Sequence, residues 1–321
     1  MTGPTQSETT VRAVAFVAAR RDPAEALGAS LAELANDPNG FAQALTVGLA
    51  LLADPGYRAG QRRVAPGIGA IHGVRWPLLA AVQHGFRNAT GLVRPTPLLF
   101  IADRLFREAE LEARWFAFGL LERTLGAETE RTWQLLRRAA REAGDWITVD
   151  SLAHPYARGI AAEPYRWAEL DQLIYSASRW ERRLVGSTIA TMTHVDGKRG
   201  RDPRVAELGL PILAGLMGDA EPDVQKALAW AYRSLTVVDP GATEAALRVE
   251  TERAAETADG YRAWVIRDTL VKLDPSTADE FRDRLAGIRR HAGAPPTSPA
   301  AETLARFGEL PDPARHPEPP L

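Results

Sequence analysis

Apolar residues recur every three or four positions through most of the chain, which is the spacing of residues on one face of an α-helix. Runs that alternate apolar and polar residues, as exposed β-strands do, are nearly absent. The pattern therefore predicts an all-α fold. The predicted helical segments are residues 42–52, 78–86, 97–106, 111–125, 130–143, 146–153, 179–193, 205–217, 224–235, 242–255 and 261–273.

Glycines and acidic residue–proline pairs separate these segments at short intervals. The breaks fall at Asp54-Pro55, Gly126, Gly144, Glu163-Pro164, Gly218, Asp239-Pro240 and Asp274-Pro275. From one break to the next is often one helix or one helix pair, similar to the ~40–47-residue unit of HEAT or armadillo repeats. This spacing favours an α-solenoid over a compact helical bundle. The glycine-rich, basic stretch of residues 56–73 is predicted as a loop.

The two ends of the chain lack the helical pattern. Residues 1–10 are polar without periodicity and are predicted to be disordered. Residues 292–321 hold eight of the 23 prolines, so this tail is predicted to be largely disordered, with room for a short helix near 301–308. We therefore predict that the residues between these ends, 11–291, form one solenoid.

Composition narrows the class of protein. Of the 321 residues, 45% are hydrophobic and 25% charged, which is typical of a soluble protein with a sizeable core. The absence of cysteine excludes disulfides, thiolate zinc sites and a cysteine nucleophile. The longest nearly apolar run, residues 44–53, is half of the ~20 residues that a membrane span needs, so we expect a cytoplasmic protein. The formal net charge of −2 means that any nucleic-acid surface is local.

The common catalytic motifs are missing. The chain has no GxSxG, HExxH, Walker A or CxxC sequence. Its six histidines are scattered singly, which is typical of structural or surface histidines and predicts no metal site.

Three segments instead place an aromatic residue one helical turn from a charged one. The pairs are Trp146 and Asp150, Trp180 and Arg183, and Trp230 and Arg233, with Lys226 one turn before Trp230. Each pair alone is explained by a semi-buried tryptophan, a stacked surface arginine or a helix-capping aspartate. On successive helices of a solenoid, however, they would line one concave groove.

Such a groove suits a particular chemistry. Arginines bind phosphates, and tryptophan faces attract cations by ~0.5–2 kcal/mol. A carboxylate held near a sugar stabilises an oxocarbenium-like transition state and can orient water. A cationic alkylated purine in DNA is a substrate that uses all three.

The order Trp-x-x-x-Asp, Trp-x-x-Arg, Lys-Ala-x-x-Trp-x-x-Arg resembles the bacterial DNA alkylation repair family of HEAT-like-repeat (AlkD-like) glycosylases. The resemblance covers about residues 60–275 and is strongest over residues 146–233. It implies an α-solenoid of HEAT-like repeats whose concave face holds duplex DNA. It also implies a monofunctional DNA glycosylase that releases N3- and N7-alkylated purines without metal or cofactor, with the lesion left stacked rather than flipped.

The resemblance assigns roles to residues by position. Asp150 becomes the catalytic carboxylate, Trp146 and Trp230 the aromatic walls, and Arg183 the contact to the DNA backbone beside the lesion. Backbone contacts or supporting ion pairs are assigned to Arg182, Lys226 and Arg233. We expect a monomer that acts on double-stranded DNA and has no membrane partner.

Two features depart from the family pattern. Asp223 is acidic where the family is expected to be less so, and residues 197–204 are unusually charged. Lys198 and Arg199 in that stretch belong either to a solvated loop or to a DNA contact. Two alternative functions stay open: a non-catalytic protein that binds damaged or branched DNA, and a protein-interaction scaffold.

Overall fold

The computed structural model describes residues 8–91, 94–195 and 201–307. α-Helices fill most of these ranges and no β-strand occurs in them, so the prediction of an all-α fold is confirmed. None of these described helices combines the length and the apolar character that a bilayer span requires. The helices are Glu8–Ala18 (α1), Arg21–Leu31 (α2), Pro38–Leu52 (α3), Pro55–Val64 (α4), Trp76–Thr90 (α5), Pro95–Leu105 (α6), Leu111–Thr124 (α7), Thr129–Glu142 (α8), Trp146–Ala162 (α9), Trp167–Leu173 (α10), Arg179–Val195 (α11), Arg204–Leu216 (α12), Pro222–Leu235 (α13), Pro240–Thr257 (α14), Gly260–Thr269 (α15), Pro275–Arg284 (α16) and Pro299–Phe307 (α17).

Aspartate–proline pairs start several of these helices. In α3, α4, α14 and α16 the proline is the first helical residue and the aspartate before it caps the helix. The aspartate carboxylate accepts hydrogen bonds from free N–H groups of the first turn, and the fixed φ of proline suits that first position. This is why the predicted breaks at residues 54, 239 and 274 coincide with helix starts.

The same capping overturns one prediction, because residues 56–73 are not entirely a loop. The Asp54 carboxylate accepts from the backbone N–H groups of Gly56 (2.9 Å) and Tyr57 (3.1 Å). Arg75 Nε also donates to Asp54 Oδ2 at 2.8 Å. These bonds start α4, which takes up the first half of the stretch despite its glycines.

Contacts divide the chain into two compact units, residues 1–139 and 140–321. That residues 11–291 form one solenoid stays a prediction. In the first unit, α5 packs between α2 and α7, and α3 packs against α6 and α7. Phe41, Phe86 and Phe116 meet in its core, with ring centroids 5.3–5.9 Å apart. Buried Glu112 fixes the loop after α4, because its carboxylate accepts from the N–H groups of residues 72–74.

The second unit is built from two rows of helices. α9, α11, α13 and α15 pack side by side in chain order, and α10, α12, α14 and α16 form the other row. Within each row a helix packs against the helices two positions before and after it in the chain, an order typical of helical repeats. That the repeats are of the HEAT type stays a prediction.

Part of the predicted tail is helical. α17 packs on α12, and Thr297 N–H donates to Gly218 O at 2.9 Å just before it. Ser298 and Ala300 are each 2% exposed. These anchors explain why residues 297–307 fold despite the prolines around them. At the other end, residues 8–10 belong to α1.

Candidate functional site

α11 and α13 of the second unit run in the same direction. Arg183 contacts Asp223 near the start of both helices, and one turn later Gly186 lies directly against Ala227. Contact positions that advance together along both helices define a parallel pair. The first turns of α11 and α13 therefore lie at the same edge of the second unit.

α9 joins this edge through Asp150. Arg183 Nε donates to Asp150 Oδ1 at 3.1 Å, and Arg183 Nη2 donates to Asp150 Oδ2 at 2.8 Å. Ser187 Oγ donates to Oδ1 at 2.7 Å. Bidentate arginine–carboxylate pairs hold both planes in a fixed orientation. Asp150 is thus positioned by two side chains of α11 while its own side chain is still 22% exposed.

The three hydrogen bonds leave Asp150 one open acceptor position. A carboxylate has about four lone-pair directions, and among the described residues Oδ1 accepts two hydrogen bonds and Oδ2 one. The free direction belongs to Oδ2. The Asp150 side chain is partly exposed, so a water molecule or a ligand can reach it.

All three guanidinium nitrogens of Arg183 donate hydrogen bonds within the protein. Its side chain is 6% exposed, and Nη1 donates to the Asp223 carbonyl at 2.7 Å. The Asp223 carboxylate lies 3.9 Å from the same nitrogen. The guanidinium carbon lies 5.8 Å from the centroid of the Trp146 ring. Two carboxylates against one guanidinium give the cluster a net negative charge, and Arg183 holds Asp150 rather than projecting into solvent.

Trp230 and Lys226 lie further along α13. Asp223, Lys226 and Trp230 are spaced by three and four residues, so they share one face of the helix. Trp230 is half-buried and Lys226 is exposed. Lys226 forms no ion pair in the described part of the chain. The face that begins beside Arg183 therefore continues with an available cation and an aromatic ring.

The other predicted aromatic–charge pairs are arranged differently. Arg179, and not Arg183, stacks over Trp180, at 4.7 Å from the ring centroid. Arg233 makes an ion pair with Asp268 of α15 and also donates to the Asp268 carbonyl at 2.9 Å. Residues three apart share a helix face, but the stronger carboxylate partner on the neighbouring helix decides where the guanidinium goes.

Arg182 is tied into the protein. Its Nε donates to buried Asp219 at 2.7 Å, and Nη1 donates to the carbonyls of Ser176 (2.8 Å) and Ala177 (3.1 Å). These contacts join α11 to the turn before α13 and favour the supporting ion pair over a DNA contact. The other two predicted contacts, Lys198 and Arg199, lie outside the described residues.

A sequence model of the family described as DNA alkylation repair enzyme matches residues 45–262. The chain belongs to the DNA alkylation repair enzyme family. The matched range is more than half of the chain and includes Trp146, Asp150, Arg183 and Trp230. The family resemblance predicted from the motifs is confirmed at this level, and with it a role in DNA repair. The comparison with curated proteins finds no match.

Within this family member, Ser187 and Asp223 are site residues whose roles the sequence did not reveal. Ser187 lies four residues after Arg183, on the same face of α11, which is the one pattern that pointed to it. Asp223 contacts Arg183 chiefly through its backbone carbonyl, which carries no sequence pattern. No group of metal-binding side chains converges anywhere in the described ranges.

Gly186 sets the spacing of the site, and its replacement by alanine is expected to destabilise the protein by about 1–3 kcal/mol, the usual cost of overpacking. A Cβ there would lie 2.8 Å from the Ala227 carbonyl carbon. The two helices must then separate, which moves Arg183 away from Asp223. Urea unfolding measures the loss. Gly60→Ala is the matched control, because a Cβ in that α4 position meets nothing within 4 Å. Equal effects of both substitutions would contradict the close-packing argument.

Proposed function

We propose that the protein is a monofunctional DNA glycosylase for cationic N3- and N7-alkylated purines in duplex DNA. The observation that supports this most directly is the partly exposed Asp150 carboxylate, which is fixed by Arg183 and Ser187 and keeps an unoccupied acceptor direction on Oδ2. Family membership supports DNA repair in general. The geometry of Asp150 supports the more specific reaction.

In the proposed reaction, positive charge moves from the alkylated base to the sugar. The bond between C1′ and the purine nitrogen breaks, its electron pair returns to the positively charged base, and the base leaves neutral. Positive charge then develops on the sugar, where a nearby carboxylate stabilises it. The net negative cluster of Asp150, Arg183 and Asp223 is suited to that task. The oxygen of a water molecule then bonds to C1′, and the proton that this water loses passes to bulk solvent. Oδ2 of Asp150 accepts the hydrogen bond that orients this water.

Each remaining residue has a narrower role in this proposal. Trp146 and Trp230 offer half-buried aromatic faces to the cationic base. Arg183 is a positioning residue, since its nitrogens are occupied by Asp150 and Asp223. Lys226 is the phosphate contact, and Arg182 and Arg233 are supporting ion pairs. No lysine contacts Asp150 in the described ranges, which suits hydrolysis without a lysine-bound intermediate.

The test is base release from duplex DNA that carries defined N-alkylated purines. We expect the protein to release 7-methylguanine or 3-methyladenine faster than spontaneous depurination, and to leave abasic sites without strand cleavage. Chromatography of the free base and alkaline cleavage of the DNA measure the two products. A duplex with a bulky N3-adenine adduct extends the assay to larger lesions.

Two results would contradict the proposal. Salt-dependent DNA binding without release of either small or bulky bases indicates a non-catalytic DNA-binding protein. The absence of both binding and release indicates a protein-interaction scaffold.

A further inference from the structure

A basic turn follows α16, beyond the part of the chain that matches the family. The match ends at residue 262, and the turn spans residues 285–294. Residues 285–301 contain two arginines and a histidine but no acidic residue. The turn is therefore a local cationic segment in a chain whose formal net charge is −2.

Side chains of α15 hold this turn in place. Arg267 Nη2 donates to the carbonyls of Leu285 (2.5 Å) and Ile288 (2.8 Å). The Tyr261 hydroxyl, near the start of α15, donates to the carbonyl of Ala294 at 2.6 Å. Hydrogen bonds at both ends fix the backbone while leaving the side chains between them exposed.

The backbone of the turn at residues 289–290 lies directly against Gly260, the first residue of α15. A Cβ on Gly260 would lie 2.1 Å from Arg289 O and 2.5 Å from Arg290 N, so only glycine fits there. The turn is thereby held against the amino-terminal end of α15.

Arg290 links the turn to the edge that carries Asp150. Arg290 Nη1 donates to Gln225 Oε1 at 2.9 Å, and the guanidinium carbon lies 4.8 Å from the Trp264 ring centroid. Gln225 belongs to the first turns of α13, between Asp223 and Lys226 in the chain. The basic turn therefore lies beside the α13 end that contacts Arg183.

The arginines of this turn lack carboxylate partners, unlike the arginines of the candidate site. Arg182, Arg183 and Arg233 each pair with a carboxylate. Arg289 and Arg290 form no ion pair with any described residue, and both are exposed. Burial, and then the nearby charge of Arg289, lower the pKa of Arg267. A fixed, exposed set of cations that repel one another is stabilised by a bound anion.

We propose that the turn of residues 285–294 binds phosphates of the DNA strand beside the lesion, with Arg289 as the main contact. The proposal rests on the proposed function for its partner, duplex DNA. Because the backbone is already fixed, the contact has to order only the arginine side chain. The chain thus adds to the family's site a phosphate contact from outside the matched region.

The test measures DNA affinity as a function of salt for the full-length protein. Losing one phosphate contact is expected to reduce the slope of log K against log salt by about 0.9. Over the decade from 1 M to 0.1 M salt this corresponds to about 8-fold weaker binding of Arg289→Ala at 0.1 M. Arg289→Lys, which keeps the charge, is expected to restore most of the affinity. Arg306→Ala is the control, because Arg306 is an exposed arginine of α17 in the same part of the chain.

The outcomes separate this proposal from the glycosylase proposal. Unchanged affinity and slope in Arg289→Ala overturn the phosphate contact while base release by the wild type keeps the proposed function. An equal loss in Arg306→Ala also overturns it, because the effect would then be one of overall charge. If the wild type binds duplex DNA without base release, a loss specific to Arg289→Ala supports the contact although the enzyme assignment fails. Circular dichroism melting of both variants shows that each is folded.

Discussion

Asp150→Asn is expected to slow base release by at least about 10²-fold while DNA affinity changes little. Loss of one preorganised electrostatic group from an active site costs about 10²–10³ in rate. The asparagine amide keeps the size of the side chain but removes the negative charge that offsets the cationic sugar. Single-turnover release of the methylated base measures the rate, and salt titration of binding measures the affinity.

This substitution also affects folding, so stability is measured beside activity. Arg183 is 6% exposed, and a neutral partner leaves its charge less compensated. We expect a loss of about 1–3 kcal/mol, the cost of weakening a buried hydrogen bond to a charged group. Ser187→Ala is the control that removes a hydrogen bond from Asp150 but keeps its charge. It is expected to slow release far less. Full activity of a folded Asp150→Asn protein would exclude the mechanism proposed for Asp150.

The helices could be predicted because their evidence is local. Apolar spacing and capping pairs such as Asp239-Pro240 lie within one segment of the chain, and the predicted bounds of α13 and α14 differ from the structure by two residues at each end or fewer. α4 was missed because the Asp54 cap and its contact with Arg75 outweigh the glycines of that segment. The short helix for which the sequence leaves room near residues 301–308 is α17, and it is stabilised by contacts with α12 and Gly218, far away in the chain.

In the candidate site, too, the local features could be predicted and the contacts between helices could not. The spacing of Trp146 and Asp150 places both on one face of α9, and family membership covers their region. The partner of each arginine depends on the neighbouring helix. Arg183 was predicted as a DNA contact, but it lies against Asp150 and the Asp223 carbonyl, 33 and 40 residues away in the chain. No pattern within α11 distinguishes an arginine that holds a carboxylate from one that holds a phosphate.

A buried ion network beyond the candidate site connects α12, α14 and α15. Arg262 is 1% exposed and donates to Glu250 (2.5 Å), Asp259 (2.7 Å) and the Met217 carbonyl (2.7 Å). Tyr232 lies within its electrostatic reach: burial and the charge of Glu250 raise the pKa of the Tyr232 hydroxyl well above its usual range. In this network one guanidinium balances two buried carboxylates.

Arg262→Met is therefore expected to destabilise the protein by about 3–5 kcal/mol, the usual cost of breaking a buried ion pair by removing one partner. Methionine fills part of the space, but Glu250 and Asp259 are left buried without their cation. Urea unfolding at neutral pH, followed by circular dichroism, measures the loss. Arg248→Met is the matched control, because Arg248 also pairs with two carboxylates but on the surface, where solvent screens them. A similar small change in both variants would show that the carboxylates tolerate burial alone. A large change confined to Arg262→Met would show that the buried pairing of Arg262 with Glu250 and Asp259 stabilises the packing of α15 against α14.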